Sequence, residues 1–85
     1  KWYNLAAKQG VASAQYNLGL MYGTGQGVIQ DNVYAHMWWN IAASSGDSEN
    51  ASKNRRLIAK LMNSNQIEKA QKLARECVAK NYKGC

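Results

Sequence analysis

The 85-residue chain contains no proline and no phenylalanine, and β-branched residues are few. Strands are enriched in β-branched and aromatic residues, so this composition argues against a sheet. Alanine, the strongest helix former, is abundant instead. We therefore expect an all-α protein, and one small domain at most, because a chain this short buries only a modest core.

Long apolar runs are also missing from the sequence. No run approaches the roughly 20 apolar residues that a membrane-spanning helix needs. The chain begins at Lys1 without an initiator methionine. We accordingly expect a fragment or a processed form, from which any signal peptide is already missing.

Acidic residues are scarce and unevenly placed. Five acids stand against eleven basic residues, for a net charge of +6. Residues 1–52 have a net charge of −1, whereas residues 53–85 hold nine basic residues against two acids, a net +7. The C-terminal third is therefore a basic surface. It suits an acidic partner, nucleic acid or anionic cell-envelope material, and the alternative is the solvated face of a helix.

An internal repeat organises the first half of the chain. The segment "WYNLAAKQG" begins at Trp2 and "WWNIAASSG" begins at Trp38, an offset of 36 residues, and five of the nine positions are identical. In each copy the aromatic residues and the alanine pair fit one helix. Gly10 and Gly46 follow, and each can end its helix in the left-handed conformation. A period of this length is typical of helical repeat proteins.

The segment Gly23-Thr24-Gly25-Gln26-Gly27 raises the question of a phosphate-binding loop. A dinucleotide loop has the spacing G-x-G-x-x-G between a strand and a helix, and a P-loop ends in Gly-Lys-Ser or Gly-Lys-Thr. Neither pattern is present, and the glycines follow a predicted helix. We expect a tight connection with positive φ angles instead, and Asp31 is placed to cap the next helix.

Together these residues resemble the Sel-one-like repeat family, whose α/α repeats are related to tetratricopeptide repeats. The resemblance rests on residues 11–46 and the following motif positions: Ala14-Gln15, Leu18-Gly19, Met21-Tyr22, Gly25, Gly27-Val28, Asp31, Ala35, Trp38-Trp39, Ala42-Ala43 and Gly46. It implies an α/α solenoid with an adaptor or scaffold role, binding a partner protein or peptide. It implies no catalytic step and no cofactor.

The expected organisation is about two helical hairpins and a C-terminal capping helix. Residues 1–10 are the second helix of a preceding repeat, 11–46 a complete repeat, 47–63 a degenerate repeat helix, and 64–85 a capping helix with its tail. A helix without its hairpin partner exposes an apolar edge, so self-association through residues 1–9 is a further expectation.

The degenerate repeat departs from the family pattern. Leu57, Ile58, Leu61 and Met62 are predicted to form its apolar stripe, on the face of the helix opposite its basic residues. The last helix is predicted to open with a capping box formed by the segment 65–68, which reads Asn-Gln-Ile-Glu.

Three basic residues provide the sharpest functional candidate. Lys53, Arg56 and Lys60 recur at helical spacing and form one stripe. The family resemblance implies that the first helix of each hairpin lines a concave groove, which adds three residues of the preceding repeat. The predicted binding residues are Tyr16, Asn17, Leu20, Lys53, Arg56 and Lys60. The stripe selects acidic segments in this hypothesis, and is merely a solvated amphipathic face in the alternative.

The two cysteines are Cys77, on the apolar face of the last helix, and Cys85 at the C-terminus. The intervening Asn81 to Gly84 permit a turn that returns Cys85 to Cys77. A disulfide is the favoured interpretation, and it implies a periplasmic or secreted protein. The alternative is one buried and one exposed thiol in a reducing cytosol.

A metal site and an active site are not expected. A tetrahedral metal site needs four ligands, and only His36 is available to join the two cysteines. His36 has no partner in a catalytic pattern, so we expect it on the exposed rim of its helix. The tryptophans and tyrosines are expected to pack in the core before they serve any contact with a partner.

Overall fold

The computed structural model describes Ala7, residues 10–46 and residues 48–85 of the chain. In these ranges the chain forms four α-helices and no strand, as the composition predicts. The helices are α1 (Ala12–Thr24), α2 (Asn32–Ser45), α3 (Ser48–Ala59) and α4 (Ser64–Ala79). The predicted helix at residues 1–10, and the self-association expected of it, fall almost entirely outside the described residues.

The glycine-rich segment is a connection between two helices. Gly25 ends α1 with φ 75° and donates its N–H to the carbonyl of Met21, and Gly27 has φ 77°. The Asp31 side chain then accepts hydrogen bonds from the backbone N–H groups of Val33, at 2.9 Å, and Tyr34, at 3.2 Å. The glycines supply the left-handed conformations and Asp31 caps α2, so the turn interpretation is confirmed.

The predicted capping box of the last helix was wrong by two residues. Asn63 is the N-cap of α4, and its side chain accepts from the Gln66 N–H at 2.8 Å. The Gln66 side chain accepts in return from the Asn63 N–H at 2.9 Å. Glutamine fills the third helical position as well as glutamate does. The sequence therefore carries two overlapping signals, and the earlier one begins the helix.

Helix α2 lies at the centre of the fold and packs against α1, α3 and α4. Its adjacent tryptophans serve two separate clusters of buried residues. Trp38 packs in the cluster that includes Leu18 of α1 and Cys77 of α4, whereas Trp39 packs in the cluster that includes Ala51 of α3. Both indoles are buried, which confirms the packing role predicted for them.

The expected exposure of His36 was wrong, because the side chain is only 3% exposed. The central position of α2 leaves no open rim for the residue that follows Ala35. Burial lowers the pKa of His36, since it penalises the charged form, and the positive charge of Arg55 lowers it further. Nδ1 has no hydrogen-bond partner among the described residues. Both the burial and the neighbouring charge therefore favour the neutral imidazole over the charged one.

The predicted disulfide between Cys77 and Cys85 is present, with the two Cα atoms 5.7 Å apart. The tail turns back through Asn81 and Tyr82, which both have positive φ, and the Tyr82 N–H donates to the Cys77 carbonyl at 2.8 Å. The Tyr82 ring packs against the core cluster that contains Leu18. The disulfide thus closes the C-terminal end of the core.

Candidate functional site

Trp39 lies where α1, α2 and α3 meet. Its indole Nε1–H donates to the Tyr16 carbonyl at 3.1 Å, and the Asn54 amide of α3 donates to the Tyr16 hydroxyl at 3.0 Å. Leu20 and Ile58 pack against the same cluster as Trp39. Tyr16 therefore joins all three helices, and α1 and α3 flank the indole.

Gly19 explains how the indole reaches the backbone of α1. A Cβ atom at this position would lie 2.3 Å from Trp39 Nε1, well inside van der Waals contact. The position is buried within α1. Glycine is required here by the close approach of the ring, and its φ is not in the left-handed region. The Leu18-Gly19 pair of the sequence motif thus has a packing cause.

The six predicted binding residues divide into two groups. Tyr16, Asn17 and Leu20 are partly buried on α1, and the Tyr16 hydroxyl is already hydrogen-bonded. The three basic residues Lys53, Arg56 and Lys60 are exposed on and just after α3. Asn54 links the two groups, because it lies beside Lys53 in the chain and donates to Tyr16. Their role in binding stays a prediction.

Sequence reasoning missed two exposed apolar side chains on α3 and the turn after it. Leu57 is 52% exposed and Leu61 is 73% exposed, although both were assigned with Ile58 and Met62 to an apolar face opposite the basic residues. That assignment was wrong for Leu57, which is a helix-surface neighbour of Lys53 and Lys60. The helix buries Ala51, and Ile58 packs on the same cluster, while Leu57 is turned by about 100° from Ile58. Only Ile58 and Met62 of the predicted stripe contribute to the buried side.

These leucines border an open groove of about 240 Å³. Its lining residues are Trp39, Asn54, Leu57, Ile58 and Leu61. The groove has an apolar floor and walls, and Asn54 is its single amide. The amide donates to Tyr16, so that N–H group is already satisfied. The other lining residues are apolar, so the surface can take apolar side chains from a partner.

A second groove, of about 380 Å³, lies between α2 and α4. It is lined by Asn40, Ile41, Ser44, Ala74, Arg75 and Val78. The Asn40 side chain at its edge accepts a hydrogen bond from Arg55 at 2.9 Å. None of the predicted binding residues lines it.

The described ranges contain neither a cluster of metal-ligating side chains nor a helix that could cross a membrane. Within them, no three side chains of the metal-ligating types histidine, cysteine, aspartate and glutamate lie close enough together to hold an ion. No described helix combines the length and the apolar character that crossing a bilayer requires.

Comparison with known protein families identifies the repeat. The family model described as "Sel1 repeat" matches residues 1–11 and 12–47, more than half of the chain. No curated protein and no solved structure matches the chain significantly. Sel1 repeats form helical solenoids of the tetratricopeptide type, are non-catalytic, and generally mediate protein–protein interactions. The predicted solenoid fold is thereby confirmed, and the chain belongs to the Sel1 repeat family.

Proposed function

We propose that this chain is a non-catalytic adaptor or scaffold module that binds a partner protein or peptide along the surface where α1 and α3 flank Trp39. The observation that carries the proposal is the open apolar groove over Trp39, with Lys53, Arg56 and Lys60 exposed on the same helical segment as its leucines. Apolar contact contributes affinity, and the basic residues select acidic segments and speed the encounter.

The proposal assigns no catalytic step to the chain. Its single histidine, His36, is 3% exposed and cannot reach a bound substrate. The pKa of His36 is lowered by burial first and by the positive charge of Arg55 second, and neither cause requires a catalytic role. His36 is therefore interpreted as a core residue.

The compartment is part of the proposal. The Cys77–Cys85 bond supports an oxidising environment, such as the periplasm or the cell exterior, because cytosolic thiols are kept reduced. A partner should accordingly be sought among proteins that share that compartment.

Affinity capture from extract of the source organism tests the proposal. The bait is the 85-residue chain, and parallel washes use low and high salt. A variant carrying Lys53→Glu, Arg56→Glu and Lys60→Glu removes the basic residues of α3 and its final turn. The matched control reverses three exposed lysines on α4 and at its C-terminal end, Lys69, Lys72 and Lys80, and changes the net charge by the same amount.

We expect a discrete protein that survives the high-salt wash, and that is lost from the α3 variant and kept by the α4 control. Heterogeneous anionic material that high salt releases, and that both variants lose equally, would contradict the proposal. That result would favour electrostatic binding of nucleic acid or cell-envelope polymers by the basic C-terminal third, since each neutralised phosphate releases counterions.

A further inference from the structure

The exposed apolar and basic residues of α3 alternate along one side of the helix. Leu57 follows Lys53 by four residues and precedes Lys60 by three, so each cation is its neighbour on the helix surface. Arg56 is adjacent to Leu57 in the chain. Leu57 thus lies beside Lys53 and Lys60 on the helix surface, and it also lines the groove over Trp39.

The helical path continues beyond the last residue of α3. Lys60, Leu61 and Met62 donate their backbone N–H groups to the carbonyls three residues earlier, at 3.3, 2.9 and 3.1 Å. This 3₁₀ turn keeps Leu61 beside the groove that Leu57 and Ile58 also line. Hydrogen bonds of the backbone therefore fix the positions of Lys60 and Leu61, next to the buried Met62.

The charge of this face is strongly one-sided. Glu49, in the first turn, is the only acid of α3, whereas Lys53, Arg55 and Arg56 lie on the helix and Lys60 just after it. The Arg55 guanidinium is engaged with Asn40 at 2.9 Å. The three remaining cations are exposed on the helical segment that also carries Leu57 and Leu61.

We propose that the segment bound at this surface is an acidic amphipathic peptide. The inference concerns the same surface as the proposed function and rests on it. Two apolar side chains of the segment, one helical turn apart, cover Leu57 and Leu61 and enter the groove over Trp39. Its carboxylates, on either side of those apolar residues, face Lys53, Arg56 and Lys60. The apolar contacts provide most of the affinity, and the ion pairs orient the segment.

Charge and shape favour this occupant over two others. A second copy meeting the same face by two-fold symmetry would place these cations opposite themselves, which is repulsive. A lipid surface is broad and flat, whereas Trp39 lies at the floor of a recess with only 5% exposure. An acidic amphipathic peptide can place apolar side chains in the groove and is complementary in charge to the exposed cations.

The test uses a synthetic 16-residue peptide of alanine, leucine and glutamate, with leucines at i and i+4 flanked by glutamates. One control peptide keeps the composition and disperses the leucines around the helix, and the other replaces glutamate with lysine. Calorimetry gives Kd for the 85-residue chain, and the NMR signal of the Trp39 indole N–H reports on the groove. Both Leu57 and Leu61 are exposed, so Leu57→Ser with Leu61→Ser should leave the fold intact. The control variant, Ile29→Ser with Val78→Ser, removes exposed apolar side chains elsewhere.

We expect the amphipathic acidic peptide to bind and to shift the Trp39 signal. Serine at Leu57 and Leu61 should weaken binding at least tenfold, and the Ile29 and Val78 control should change it less than twofold. Equal binding of the peptide with dispersed leucines would overturn the inference, because it would show attraction by charge alone. Tighter binding of the lysine peptide would also overturn it.

Two further measurements test whether a membrane or a second copy of the chain binds at this surface instead. If the chain binds phosphatidylglycerol vesicles through Leu57 and Leu61 but does not bind the peptide, the occupant of this surface is a membrane. If sedimentation shows a concentration-dependent dimer that substitution of the same leucines abolishes, the occupant is a second copy of the chain. Either result overturns the inference.

Failure of the inference is distinguishable from failure of the proposed function. A protein captured from extract that requires Lys53, Arg56 and Lys60 but ignores the leucine substitutions would refute the amphipathic partner and leave the adaptor proposal standing. Capture that responds to neither set of substitutions would remove the support for both.

Discussion

Substitution of Gly19 by alanine should destabilise the fold, although alanine is the better helix former. In a solvent-exposed helix the change would stabilise by about 1 kcal/mol. Here the added Cβ would lie 2.3 Å from Trp39 Nε1 and 2.4 Å from its Cδ1. Overpacking of a core typically costs about 1–3 kcal/mol. The ring must move, and α1 must separate from α2.

The same movement breaks the hydrogen bond from the Trp39 indole to the Tyr16 carbonyl. Leaving a buried polar group without a partner costs about 1–3 kcal/mol. Set against the gain in helix propensity, the net loss in unfolding free energy should be on the order of 2–3 kcal/mol.

Urea denaturation of the wild-type chain and of Gly19→Ala measures this difference. Gly23→Ala is the matched control on the same helix, because its Cβ would lie 3.1 Å from Trp39 Cη2, a tight contact that a small shift relieves. We expect Gly19→Ala to lose clearly more stability than Gly23→Ala. If Gly19→Ala is as stable as wild type or more so, the close packing of Trp39 on α1 is refuted.

Three other perturbations have outcomes that the structure predicts. Cys85→Ser should lower the unfolding free energy by about 2.5 kcal/mol, from loop closure over a separation of 8 residues, and a reductant should have no further effect on this variant. His36 has a folded-state pKa below its ordinary 6.5, so the unfolded chain binds more protons as pH falls through 6.5, and stability should decline from pH 7.5 to pH 5. His36→Gln should flatten that pH profile in denaturation experiments, and an unchanged slope would show that a group other than His36 causes the pH dependence of stability. Asp31→Ala should cost about 1 kcal/mol through loss of the α2 cap, whereas Asp31→Asn should retain most of the stability in thermal melts.

Local signals in the sequence predicted the helices and several of their ends. Asp31 and Gly25 act on backbone groups within a few residues, so their roles can be inferred without knowing the fold. The disulfide was also predictable, because only Cys77 and Cys85 were available and a short turn separates them. The 36-residue repeat that relates Trp2 to Trp38 is a property of the sequence itself, so the family could be inferred from it directly.

Features that depend on contacts between helices were not predictable. An apolar periodicity shows that a helix has an apolar face, but not how much of that face its neighbours cover. Helix α3 covers Ile58 against the Trp39 cluster and leaves Leu57 and Leu61 outside it. His36 is buried because α2 packs against α1, α3 and α4, which is a property of the whole fold. The groove at Trp39 was missed for the same reason.

Crosslinking at a defined residue shows whether partners bind at the groove over Trp39. A photo-reactive amino acid replaces Leu61, which is 73% exposed at the groove, in the protein expressed in its source organism. The control carries the same group at Gln71, an exposed position on α4. We expect a discrete crosslinked protein from position 61 and none from position 71. Crosslinks from position 71 alone, or none from position 61, would contradict it.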